Sequence, residues 1–148
     1  MITDALTGLF ERDLQRLKTE IELYRVEENI WLVKEGIGNS AGNLCLHVVG
    51  NLNHFIGAVL RKNGYVRRRD DEFALKNIPV NELVSAIEKT KDVVVDTLTA
   101  MTEKDFELDF PEKKHDKILR TDFMLFHLLA HLNYHLGQIN YHRRLIEK

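Results

Sequence analysis

Apolar residues recur every three or four positions over long stretches of the chain. This spacing is typical of amphipathic helices, not of half-buried strands. In the first stretch, one helix face carries Leu6, Leu9, Phe10, Leu14, Leu17, Ile21 and Tyr24. Only two prolines occur, so long segments run without a helix breaker. The pattern predicts four helices of about twenty residues each.

The expected helix boundaries follow from the capping residues. Ser40 is a plausible N-cap for the second helix, and Gly64 is a plausible C-terminal stop. Pro79 opens the third helix, because proline is favoured in the first turn. The fourth starts at Thr121 or Asp122 and continues to the C-terminus.

The connection between the second and third helices is long. Residues 64–79 separate them, whereas connections in helical bundles usually span about 2–8 residues. We therefore predict an all-α fold, a four-helix bundle with a long crossover connection between helices 2 and 3, in which residues 1–148 form a single domain. The charged run RRRDDE, residues 67–72, is expected in this connection as solvated surface, where it could also rim a site.

Composition and charge disfavour several classes of protein. The formal net charge of -2 gives no electrostatic attraction to nucleic acid or to an anionic membrane. No uninterrupted apolar run approaches the roughly 20 residues of a membrane span, and no signal-peptide pattern precedes the first helix. The single cysteine, Cys45, allows no internal disulfide and fits a reducing compartment. We expect a cytoplasmic protein.

The most informative motif is HLLAHLNYHLGQINYH, residues 127–142, which contains four of the seven histidines. At about 100° per residue, His127, His131, His135 and His142 fall in one narrow wedge of the fourth helix. Histidines at i and i+4 can bring two ring nitrogens to one metal ion. Any one of them alone is more simply a core histidine with satisfied hydrogen bonds. By spacing, the 127/131 and 131/135 pairs fit a metal equally well.

A metal site needs a third ligand from elsewhere. His47 lies among apolar residues of the second helix and is expected to point inward. His54 is expected at the rim, His115 in a solvated charged loop, and Cys45 about 200° away from His47. No Asp or Glu occurs within residues 40–60 or 123–146. Asp13, on the apolar arc of the first helix, is the candidate carboxylate to orient a ligand histidine, the alternative being an ordinary ion pair.

The segments NSAGNLCLHVVGNLNHFI and LLAHLNYHLGQINYHRRL together resemble the DinB/YfiT superfamily of metal-dependent helical-bundle proteins. The resemblance implies His47, His131 and His135 as the metal ligands and selects the 131/135 pair. His127 would then pack about a turn away from the ligands. His142 would lie near the surface at the helix end.

This resemblance implies a divalent-metal-dependent enzyme, either a thiol-dependent transferase or a small hydrolase. Its partners would be a small-molecule substrate, such as a low-molecular-weight thiol, and a second copy in a homodimer. Asn51, Tyr134 and Gln138 could line the pocket. Imidazole ligands suit zinc or nickel, and also iron or manganese. The alternative from another class is a non-catalytic metal-binding or stress-linked interaction bundle.

Overall fold

The computed structural model describes residues 1–148 and is all-helical, as predicted. Its long helices are α1 (Ile2–Glu22), α2 (Ala41–Leu52), α4 (Val80–Ala100) and α6 (Thr121–Ile146), and its short ones are α3 (Arg69–Ala74) and α5 (Glu103–Glu107). A 3-10 turn spans Glu27–Trp31, and a π-helical segment, Asn53–Leu60, continues α2. There is no β-strand, and two isolated bridges lie in the loop before α6.

The helix starts agree with the capping residues. Ser40 is the N-cap of α2, and its hydroxyl accepts the backbone N–H of Asn43 at 3.1 Å. Pro79 directly precedes α4, and Thr121 begins α6. Because these residues act through local backbone geometry, the helix starts can be predicted from the sequence without knowledge of the packing.

The prediction that the second helix runs to Gly64 was wrong. Its α-helical part ends at Leu52, and π-helical geometry follows. At the junction the Asn53 side chain donates to the carbonyl of Val49 at 2.8 Å and so competes with the backbone for that acceptor. The π segment ends at Leu60, and Gly64 lies beyond it with a φ of 82°.

The four long helical segments surround one core. α1 packs on α4 and α6, and α2 packs on the same two helices. Twenty-seven buried apolar residues form a single cluster, with Phe10, Leu52, Ile87 and Leu128 each no more than 1% exposed. Burying each such side chain stabilises the fold by about 1.5–3 kcal/mol. α2 and α6 are in direct contact, so their inward histidines can meet.

Ala41–Leu60 has the length and the mean hydropathy, 1.2, of a helix that could cross a membrane. Polar residues interrupt it, which is why no uninterrupted apolar run is visible in the sequence. In the structure, 61% of its most apolar window is buried against the rest of the protein. A core helix passes the same test of length and composition.

Candidate metal centre

Three imidazoles meet between α2 and α6. His131 Nε2 lies 3.1 Å from His47 Nε2 and 3.1 Å from His135 Nε2. All three candidate ligand atoms lie within 4.8 Å of one another. His47 is buried, and the other two are half-buried. The expected convergence of these three histidines is therefore observed in the geometry.

Hydrogen bonds on the outer side of two rings fix which nitrogen faces inward. His47 Nδ1–H donates to Glu72 Oε1 at 3.0 Å, and His135 Nδ1–H donates to Gln138 Oε1 at 2.7 Å. Both Nε2 atoms therefore present lone pairs toward His131. A neutral His131 has one ring N–H, and its buried Nδ1 has no hydrogen-bond partner.

These residues fit a divalent metal ion. A nitrogen–metal distance of about 2.1 Å in a tetrahedral site places ligand nitrogens about 3.4 Å apart. The observed 3.1 Å separations are within about 0.3 Å of that spacing. The single ring proton of His131 cannot satisfy the nitrogen lone pairs that face the inside of the cluster. A bound cation would accept one lone pair from each of the three histidines. The cluster could therefore hold a metal ion, and three protein ligands leave a coordination position open.

The structure supplies a carboxylate other than the one predicted, Asp13. Glu72, on α3 in the crossover connection, is only 6% exposed. Its Oε1 accepts from His47, and Arg67 binds both of its oxygens at 2.9 and 3.0 Å. The expectation that residues 67–72 are solvated surface was wrong for Glu72, because α3 folds back onto α2 and buries it.

Gly50 makes room for Glu72. It lies nearly one turn after His47 on α2, and a Cβ at this position would be 1.9 Å from Glu72 Oε2. The sequence signal that could have revealed Glu72 was therefore HVVG, a glycine next to a ligand on a helix face. That signal shows that something approaches closely, but it does not identify the approaching residue.

Burial and mutual proximity favour the uncharged forms of His131 and His135. Burial, together with the neighbouring His135 and His47, lowers the pKa of His131 to about 3. Burial also lowers the pKa of His135, against the opposing hydrogen bond to Gln138. Burial tends to raise the pKa of Glu72, but hydrogen bonds from His47 and Arg67 outweigh it and lower that pKa. A deprotonated donor set is the form that binds metal.

Acidification from about pH 7 to about pH 5 is expected to lower the melting temperature of metal-free protein. Burial lowers the pKa of both His131 and His142 in the folded state. Unfolded imidazoles take up protons near pH 6.5, whereas these folded ones do not, so their contribution to stability is present above 6.5 and declines below it. Thermal unfolding at a series of pH values measures this. His131→Gln should weaken the dependence of the melting temperature on pH. His115→Gln, in an exposed loop, is the control and should leave that dependence unchanged. A melting temperature that rises on acidification would contradict the lowered pKa values of these histidines.

The other pocket candidates differ in their contacts. Asn51 is 5% exposed, and its Oδ1 has no hydrogen-bond partner. The ring of Tyr134 packs edge-on against His135 at 5.3 Å between centroids, but the residue is 66% exposed. His127 is half-buried, and burial lowers its pKa. Gln138 is the one candidate that hydrogen-bonds a histidine of the cluster.

Asp13 does not orient any of the three histidines. Its carboxylate accepts hydrogen bonds from Arg12 at 2.8 Å and from Asn133 at 2.9 Å, and Arg16 lies 3.6 Å away. This corresponds to the ordinary ion-pair alternative. The physical reason is that α1 faces the opposite side of α6, where Asn133 lies, so its carboxylates meet that side of the helix.

His142 was expected near the surface, and this was wrong. It is 3% exposed, its Nε2–H donates to the Leu32 carbonyl at 2.8 Å, and its Nδ1 accepts from the Tyr24 hydroxyl at 2.5 Å. Both ring nitrogens are thus satisfied away from the cluster. His115 is exposed, as expected. Cys45 is fully buried outside the cluster, where burial raises its thiol pKa to about 12.

Comparison with known proteins places the whole site inside one family. Residues 9–148 match the family described as "Protein of unknown function (DUF1572)", so the chain belongs to that family. The matched region contains the three histidines, Glu72 and Gln138. No curated protein matches the chain.

Proposed function

We propose that this member of the DUF1572 family is a divalent-metal-dependent enzyme of DinB type whose ligands are His47, His131 and His135. The observation that carries the proposal is the convergence of three Nε2 atoms, two of them held by hydrogen bonds on the outer side of the ring. Structural zinc sites usually fill all four positions with protein ligands, whereas three ligands are typical of catalytic sites.

The proposal includes the architecture. The four long helical segments would form a DinB-like four-helix bundle, with the crossover connection between α2 and α4 as part of the site. Two features support this: both α1 and α2 pack on α4 and α6, and the crossover places Glu72 against His47. Zinc or nickel is the proposed ion because three neutral imidazoles suit both.

Bound at the cluster, such an ion would supply an open position at which a thiol loses its proton near neutral pH. Glu72 would keep His47 Nδ1 protonated and so direct its Nε2 inward, and Gln138 would do the same for His135. Arg67 holds Glu72 in place from its far side. These residues orient ligands and do not themselves transfer protons to substrate.

A pocket of about 260 Å³ is lined by Gln138, the hydrogen-bond partner of His135, although none of the three histidines lines it. It is formed by the loop 36–39, by Leu44 nearly one turn before His47, and by α6 from Gln138 onward. The pocket lies toward the Ser40 end of α2. No charged side chain lines it, so it suits the uncharged part of a small thiol.

We propose thiol transfer to an electrophile as the reaction. A new sulfur–carbon bond forms, the leaving group departs with the electron pair of the broken bond, and the thiol proton passes to solvent. Glu72 is committed to His47 and Arg67, which leaves no free carboxylate base at the centre. This inventory favours a thiol nucleophile over the metalloprotease type of hydrolysis, which pairs a metal with a glutamate base.

Calorimetry of metal-loaded protein with low-molecular-weight thiols tests this proposal. In buffers of different ionisation heat, we expect binding with release of about one proton, because a thiol binds a metal as thiolate. His47→Ala should abolish both heat and proton release, and the alcohol analogue of each thiol serves as a negative control. Metal retained in untagged protein without any thiol binding would instead support a non-catalytic metal-binding bundle. Absence of metal affinity would contradict both.

A further inference from the structure

Helix α6 is apolar both on its inner face, which packs on the core, and on its outer face. Its inner face contributes Met124, Leu125, Leu128, Leu132, Leu136 and Ile139 to the core. Five large apolar side chains are exposed on the other side by 41–66%: Phe123, Phe126, Tyr134, Tyr141 and Leu145. We call these five the outer stripe. A helix that is apolar on both faces is normally covered on both.

The outer stripe is continuous along the helix. At about 100° per residue its members fall within a wedge of about 100°, and at about 1.5 Å per residue it is about 33 Å long. Two small exposed residues, Ala130 and Gly137, lie in the same wedge on either side of Tyr134. Nothing lies within 4 Å of a Cβ placed at Gly137. Small residues of this kind let a second helix approach closely.

The two ends of the outer stripe are complementary in charge. At the N-terminal end, Phe123 and Phe126 border a groove of about 470 Å³. Arg120 and Asp122 pair with each other in this groove, and Glu103 and Glu107 give it an excess of negative charge. At the C-terminal end the cation is Arg144, whose guanidinium lies over the Tyr141 ring at 5.2 Å. An antiparallel two-fold arrangement of two α6 helices brings each basic end onto the acidic groove of the other copy.

We propose that a second copy of this chain covers the outer stripe, with the two α6 helices antiparallel and the two-fold axis near Tyr134. With aromatic side chains of about 150–250 Å² each, the exposed parts of the stripe would bury roughly 1,000 Å² in total over the two copies. The flanking charged residues add to this and bring the interface toward the roughly 1,200 Å² at which stable interfaces begin. Antiparallel helix dipoles are also favourable.

This interface would lie beside the histidine cluster, about 100° away around the axis of α6. Tyr134 packs its ring against His135 and is otherwise exposed, so the partner's side chains would fix it in place. The inference does not depend on the proposed function, because it rests on apolar side chains exposed opposite the core and not on a bound metal. The outer stripe includes Tyr141 and Leu145, which also line the pocket of about 260 Å³, so the second copy would border that pocket. It can be tested with or without metal.

Sedimentation equilibrium of the full-length protein over a range of concentrations tests the proposal. We expect a dimer whose association constant falls roughly tenfold or more in Tyr134→Asp. The substitution occurs in both copies and so places two negative charges near the two-fold axis. Val66→Asp, at a 78% exposed apolar residue of the crossover connection, is the matched control and should leave the dimer unchanged. A protein that is monomeric at all concentrations, or equal effects of the two variants, would overturn the proposal.

A charge reversal at exposed residues provides a second measurement. Arg144→Glu should weaken the dimer, and adding Glu103→Arg with Glu107→Arg should restore it. Tyr134→Cys should form an intermolecular disulfide on mild oxidation, since the native Cys45 is fully buried. Circular dichroism confirms that each variant is folded. Failure of both the rescue and the cross-link would refute the antiparallel arrangement.

Discussion

His135→Ala is expected to lose bound metal, whereas His142→Ala keeps the metal and loses stability instead. The two histidines lie on the same side of α6, two turns apart, but their surroundings differ. His135 contributes one of three converging nitrogens, 3.1 Å from His131. Removing it should lower metal affinity by more than the 10–100-fold that the loss of an outer hydrogen-bond partner typically costs. In metal-free protein its removal should change stability by only about 1 kcal/mol or less, since the side chain is half-buried and next to like groups.

His142 stabilises the fold by joining α6 to the segment that follows α1. Its loss leaves the Tyr24 hydroxyl and the Leu32 carbonyl without their partner and creates a cavity. We expect a cost of about 2–4 kcal/mol in free energy of unfolding. Elemental analysis gives the metal content, and urea unfolding of metal-free protein gives the stability. Equal metal loss in both variants would mean that the ligands have been misassigned.

Glu72→Gln is expected to weaken metal binding by about 10–100-fold while the three histidines remain in place. Glutamine has the same shape, but it is neutral, so it stabilises the His47 ring less when the ring binds a cation. It also leaves the buried side of Arg67 without its anionic partner. Metal affinity measured by competition with a chelator tests this. An unchanged affinity would show that Glu72 contributes only to the packing of α3.

Gly50→Ala should reproduce this effect without changing any charge. An added Cβ would lie 1.9 Å from Glu72 Oε2, so the carboxylate must move away from His47. Gly8→Ala is the control, because it is an exposed glycine of α1 with nothing within 4 Å of its Cβ position. It should leave metal affinity unchanged and stabilise the helix by about 0.5–1 kcal/mol. A Gly50→Ala variant with wild-type affinity would contradict the role assigned to Glu72.

Much of the fold was predictable because its determinants are local. The apolar spacing, the Ser40 cap and the position of Pro79 depend only on neighbouring residues, and the helices begin where they predict. The end of the second helix was not predictable. The switch to π-helical geometry follows the hydrogen bonds of Asn53 to Val49 and to Thr90 on α4, and the second of these exists only after packing.

The histidine cluster shows the same division within a single site. The i, i+4 spacing of His131 and His135 places both on one face of α6 in any context, so the sequence alone determined that pair. Which nitrogen faces inward depends on Glu72 and Gln138, and Glu72 reaches His47 only because α3 packs on α2. A contact between residues 25 positions apart leaves no periodic trace in the chain.

The sequence alone determined the four long helical segments, their inward faces and the residue types able to bind a metal, because each of these follows from spacing along one helix. The tertiary structure decided which histidines meet. His142 shares the wedge of the other three, yet packing assigns it to Tyr24 and Leu32, whereas His47 joins the cluster from another helix. Glu72, and not Asp13, contacts a histidine of the cluster for the same reason. Burial and hydrogen bonding of a side chain depend on the neighbouring element, and only the folded chain specifies that element.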